Sequence, residues 1–124
     1  MGLLPVSVAT DVVALLHGDA VWWTMAFWMA AAGVVGGWVA AAAGLLDFAA
    51  IPSDGPVATT GVRHMMLMGL SLGIFSSLLF LRGGPNAPLS VPWVLVLDAA
   101  ALVTLLAGGF FGGELVDKHG VGRV

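Results

Sequence analysis

The stretch Ala20–Leu46, AVWWTMAFWMAAAGVVGGWVAAAAGLL, runs for 27 residues without one ionisable side chain. A bilayer core of ~30 Å needs about 20 apolar residues in helical form, so this stretch crosses lipid with room for tilt. Asp19 and Asp47 are the first charges on either side of it. Met65–Leu81, between His64 and Arg82, is likewise free of charge, and a third span from Val91 to Gly113 is interrupted only by Asp98. Leu3–Leu16 is apolar but covers only about 21 Å at helical rise. Pro5 sits where a first-turn proline is tolerated, so this helix starts either before Met1 or inside the interface.

Composition agrees with these spans. Of 124 residues, 60% are hydrophobic and 9% charged, with mean hydropathy +1.05. A soluble domain is roughly 25% charged, so the chain lacks the polar surface to coat a globule in water. A soluble enzyme and a disordered tail are excluded. Four Lys and Arg against seven Asp and Glu exclude a nucleic-acid partner, which needs a basic patch. The absence of cysteine removes disulfides, thiolate metal sites and iron–sulfur centres. A signal peptide needs a basic start, and no Lys or Arg precedes Arg63.

The expected fold is all-α, a four-helix transmembrane bundle running up-down-up-down. Residues 1–124 form a single transmembrane domain with helices at about 3–17, 20–47, 61–82 and 91–116. One end, here end A, holds Met1, the Phe48–Val62 connection and the C-terminal tail. End B holds the His17–Asp19 turn and the breaker-rich Gly83–Ser90 connection. Arg63, Lys118 and Arg123 fall at end A against Arg82 alone at end B. The positive-inside rule therefore puts both termini in the cytoplasm. Trp22, Trp23 and Trp93 mark the end-B headgroup level.

Glycines recur at small-xxx-small spacing in Gly33/Gly37, Gly69/Gly73, Gly108/Gly112 and Gly109/Gly113. Such faces let helices approach closely in lipid. They serve packing within the chain, a homo-oligomer seam, or a slot for a flat cofactor.

Two polar layers interrupt the apolar spans. Asp11 and Asp98 each lie on the order of 9 Å below the end-B surface by helical rise, with Ser76 and Ser77 near that depth and Arg82 within snorkelling reach. Charges inside a span default to a functional hypothesis. Two readings stand: a carboxylate pair that shares a proton and relays it, or a structural polar knot with Arg82 as counter-charge. At end A, Asp47, His64, Glu114, Asp117 and His119 gather with Arg63 by antiparallel connectivity. There His64, Asp47, Glu114 and His119 form a candidate divalent-metal site, and His64 is a candidate axial ligand to haem b. Met68 shares the face of His64 at i, i+4, a pair suited to haem iron or copper. The bland alternatives are a locally hydrogen-bonded His and an apolar filler Met. No Ser-His-Asp order, phosphate loop or His-Glu-x-x-His motif is present, so the chain reads as non-catalytic.

The segments Gly-Leu-Leu-Pro-Val-Ser before Asp11, Ala-Gly-Leu-Leu-Asp47, Gly-Val-Arg-His64 and Gly-Gly-Glu114-Leu-Val-Asp-Lys-His119-Gly-Val-Gly resemble an uncharacterised bacterial membrane family, domain of unknown function 2231. The C-terminal segment is the most specific part. The resemblance implies a four-helix membrane module, sometimes joined to Rieske-type iron–sulfur domains, and hence a redox partner protein in membrane electron transfer. The family's His-Pro-x-x-x-His-Phe-Pro-like start is missing here, which leaves His64 and His119 as the histidines carried over. The leading expectation is a small haem- or metal-binding membrane module. A structural or assembly subunit without cofactor is the alternative, and a proton-relay or transport element on Asp11 and Asp98 is the third.

Overall fold

A computed structural model of the chain describes residues 2–51, 55–85 and 91–122, with the side chain of residue 91 left aside. Four helices follow in order: α1 Leu3–His17, α2 Ala20–Ala49, α3 Pro56–Arg82 and α4 Val91–Asp117. Among the described residues there is no strand. α2, α3 and α4 are long and apolar enough to cross a membrane, while α1 is apolar but shorter.

Local chemistry places the helix ends. Gly18 stops α1 with φ of 74° and donates its N–H to the Ala14 carbonyl, a left-handed cap that glycine adopts without a Cβ penalty. Only Gly18 and Asp19 separate α1 from α2, so the two helices must run antiparallel. Gly83 stops α3 in the same way, with φ of 64°. α3 starts at Pro56, whose fixed φ and missing N–H suit a first helical turn. It therefore begins earlier than the position near residue 61 expected from charge. Arg63 does not break the helix because its side chain is exposed. His64 consequently lies two turns inside α3 rather than at its start.

Each helix packs on its neighbours in the chain, α3 on α4 most extensively, and α1 meets α4 to close the ring. The four-helix up-down-up-down bundle expected from the sequence is what forms. Buried positions recur three and four residues apart on every helix: Leu4, Ser7, Asp11 and Ala14 on α1; Ala26, Ala30, Gly33 and Gly37 on α2. On α4 the same spacing runs through Val94, Asp98, Ala101, Leu105 and Gly108. This is the spacing of a bundle seam. Leu4, Val34, Leu72, Phe75, Ala101 and Leu105 form the apolar centre.

Outside the seam the large side chains are apolar and exposed, among them Leu16, Trp28, Val35, Leu46, Phe80 and Phe110. A monomeric soluble protein does not present so continuous an apolar surface. Lipid is the solvent that accommodates it. The chain is a multi-pass membrane protein.

Four of the eight paired glycines, Gly33, Gly37, Gly108 and Gly112, do visible packing work inside the chain. A Cβ on Gly33 would come within 2.6 Å of the Leu4 side chain, and one on Gly108 within 2.7 Å of the Met68 sulfur. Gly37 similarly receives the end of Leu72. Gly69, Gly73, Gly109 and Gly113 have nothing within 4 Å of the Cβ position.

Candidate functional site

The seam carries three ionisable groups into the interior near end B. Asp11 comes from α1, Arg82 from the last turn of α3 and Asp98 from α4, with 1%, 3% and 2% of their surface exposed. An Arg82 Nη of the guanidinium is ion-paired with Asp11 Oδ2. The pair spans the bundle diagonally, because the backbones of α1 and α3 are not neighbours. α2 contributes the Trp23 ring, 5.7 Å from the guanidinium carbon. A cation over an indole face is attracted by the ring quadrupole, so Trp23 covers the charge on the side facing α2.

Asp98 lies close enough to interact with both Asp11 and Arg82. Yet neither Asp98 oxygen has a hydrogen-bond partner, nor does Asp11 Oδ1 or Arg82 Nε. Buried polar groups are almost always paired. Four orphan atoms in one cluster therefore mark this as an unusual interior.

Ser76, expected in the same layer, faces elsewhere. Its hydroxyl donates to the Leu72 carbonyl at 2.7 Å and accepts from Trp38 Nε1 at 3.2 Å, which ties α3 to α2. Ser77 donates to the Gly73 carbonyl of its own helix. A buried serine not singled out in the sequence, Ser71, donates across to the Ala101 carbonyl at 2.9 Å. Its signal was available: Ser71 follows His64 and Met68 at i+7 and i+3, on the side of α3 that meets α4.

End A is organised differently. His64 is half-buried, and its Nδ1 lies 2.8 Å from the Gly108 carbonyl oxygen of α4. The Nδ1–Cε1 edge of the ring rests on Gly112, where a Cβ would sit 2.9 Å from Cε1. Glycine at 108 and 112 is thus what admits His64 and Met68 between the helices. With Nδ1 as donor to that carbonyl, Nε2 carries the ring's free lone pair.

The expected four-ligand metal cluster does not assemble. Among the described residues no three His, Asp or Glu side chains come together to hold a metal ion. Asp47 is exposed in the last turn of α2. Glu114 is ion-paired with Lys118 one turn along α4. His64 turns into the α3–α4 seam, and His119 lies beyond α4 in the tail. Helix termini at a water interface let such side chains solvate separately, so antiparallel connectivity alone does not make them converge. Arg63 sits over the Phe111 ring, 5.8 Å from its centroid. Arg123, part of the charge bias, lies outside the described residues, as does the connection 86–90.

Between α2 and α3 runs an open groove of about 460 Å³, lined by Trp38, Ala41, Gly44, His64, Met68 and Gly69 among others. Small residues on both helices create it. His64 is the ionisable residue in its wall.

No curated protein and no solved structure matches the chain. Its whole length, residues 1–124, matches the family described as predicted membrane protein (DUF2231), and the protein belongs to that family.

Proposed function

We propose that the protein is a membrane module that binds haem b in the groove between α2 and α3, with His64 as the axial ligand, and serves membrane electron transfer. The observation that carries this reading is that His64 lines that groove while its Nδ1 is held by the Gly108 carbonyl in the adjoining α3–α4 seam. Metal-ligating histidines characteristically donate one ring N–H to a backbone carbonyl or carboxylate, which fixes the tautomer and orients the other nitrogen. The donor set fits a single axial imidazole. Met68 stands one turn from His64 on the same helix face, so the two cannot occupy opposite faces of one macrocycle. Met68 would form part of the groove wall beside the group.

Haem supplies reversible one-electron transfer. The chain's part is to hold the imidazole rigid through Gly108 and Gly112, and to exclude water with Trp38, Ala41 and Leu45. In this reading end A faces the cytoplasm of a bacterial inner membrane, which the excess of positive charge there supports, and a redox partner docks on it. The deciding measurement is an absorption spectrum of the detergent-purified protein produced with ample haem. A Soret band is expected, lost in His64→Ala and unaffected in His119→Ala. A colourless protein that takes up no added haem overturns the reading.

A second reading, a cofactor-free assembly subunit, is favoured by the four glycines whose Cβ positions meet nothing in the chain. Gly69/Gly73 and Gly109/Gly113 keep small-xxx-small faces open to another helix, including that of a second copy. Gly33 is not part of such a face, since Leu4 fills it. Crosslinking of copies that is weakened by Gly73→Leu and not by changes at Val35 is the outcome expected of assembly.

A further inference from the structure

Arg82 brings one positive charge into the bundle interior, while Asp11 and Asp98 bring two carboxyl groups. The single cation is bonded to Asp11, and both Asp98 oxygens and the remaining Asp11 oxygen are without hydrogen-bond partners. The two carboxyl groups are within interaction range of each other. Ionised carboxylates are acceptors only. Facing each other in a buried place, they repel and leave their lone pairs unsatisfied. A water molecule would supply donors but not the missing charge. One proton supplies both.

We infer that Asp98 is a buried proton-binding site: a proton held on an Asp98 oxygen neutralises the Asp11–Arg82–Asp98 cluster and is donated in a hydrogen bond toward Asp11 Oδ1. The proton comes from water at the end-B face, and only one O–H bond is made or broken. The charged groups that face Asp98 are Asp11 from α1 and Arg82 from α3. α2 adds the Trp23 ring over Arg82 and has no ionisable residue between Asp19 and Asp47. This inference stands on the end-B cluster alone and is independent of haem at His64.

Infrared spectroscopy of the full chain in lipid nanodiscs at neutral pH, in H2O and D2O, tests it. Wild type should show the carbonyl stretch of one protonated carboxylic acid per chain, shifted by deuterium. Asp98→Asn should lose the band completely. Asp11→Asn should lose it too, because Arg82 is then matched by Asp98 alone. Should Asp98→Asn fail to fold, Asp98→Glu must retain the band at a displaced frequency, and an unmoved band refutes the assignment. A band that survives Asp98→Asn and vanishes only in Asp11→Asn puts the proton on Asp11 and overturns the proposal. Absence of the band in wild type overturns it as well. In that case, a thermal unfolding temperature raised by sodium over choline at equal ionic strength would assign the missing charge to an alkali cation.

Discussion

The two ends of the bundle hold the same kinds of side chain and treat them in opposite ways. At end B, Asp11, Arg82 and Asp98 are drawn into the seam and made to interact across the bundle. At end A, Asp47, Asp117 and Lys118 are exposed, and the ion pair of Lys118 with Glu114 lies along one helix at i, i+4. Chemistry does not separate the two sets; position does. Asp11 and Asp98 occupy seam positions inside their helices, where neighbouring helices cover the side chains. The end-A groups occupy last turns and the tail, where rotation of a side chain is enough to reach solvent.

That contrast sets a ranking of mutational effects. The largest is expected for Arg82→Gln, which leaves two buried carboxyl groups without their cation. Breaking a buried pair typically costs 3–5 kcal/mol, so roughly that loss is expected. Unfolding of the detergent-solubilised protein by heat or by SDS would measure it. Unchanged stability would mean that the cluster is solvated after all and would erase the difference between the ends.

Next comes overpacking of the closest helix approach. Gly33→Val places side-chain atoms where Leu4 now sits, and forcing extra methyl groups into a filled seam costs about 1–3 kcal/mol. The same substitution at Gly109, where no atom lies near the Cβ position, should leave the folding of the single chain almost untouched. A like effect at both sites would contradict the division of glycines into filled and open. Asp98→Asn should cost less than Arg82→Gln in the same assay. It keeps the shape of the side chain and leaves Arg82 with Asp11 as its counter-ion. A larger loss than for Arg82→Gln would show that the second carboxylate, and not the Asp11 pair, holds the cation.

The smallest effect belongs to end A. Lys118→Ala removes an exposed i, i+4 pair and should change stability by about 0.3–0.5 kcal/mol, within what such pairs contribute on helix surfaces. Raising the salt concentration should diminish even that difference. A loss comparable to that from Arg82→Gln would make the two ends alike.

Most of the helical layout was legible from charge and apolar length. Ala20–Leu46 could only be a spanning helix, and Gly18 and Gly83 mark the stops that the backbone uses. The start of α3 was not legible from charge. Arg63 and His64 end the uncharged run, but a helix continues through charged residues when one points outward and the other is received by a partner helix. The pairing of Arg82 with a buried aspartate could be anticipated from depth. Gathering of Asp47, His64, Glu114 and His119 could not, because connectivity brings helix ends to one face without fixing where side chains point. Reading the polar residues against the three-and-four seam spacing separates the two cases: Asp11 and Asp98 lie on it, whereas Asp47 lies beyond the buried stretch of α2.

By itself, then, the chain's order of residues determined a membrane protein of four antiparallel helices, since uncharged length and breaker positions are properties of single segments and need no partner to be read. Which carboxylate meets Arg82, which glycines are filled by a neighbour and which stay open, and that His64 bonds to the Gly108 carbonyl were decided only in the tertiary structure. Those outcomes depend on the rotation of each helix about its axis. In lipid, where one apolar face is solvated as well as another, that rotation is set by close contact between helices and by the need of buried polar atoms for partners.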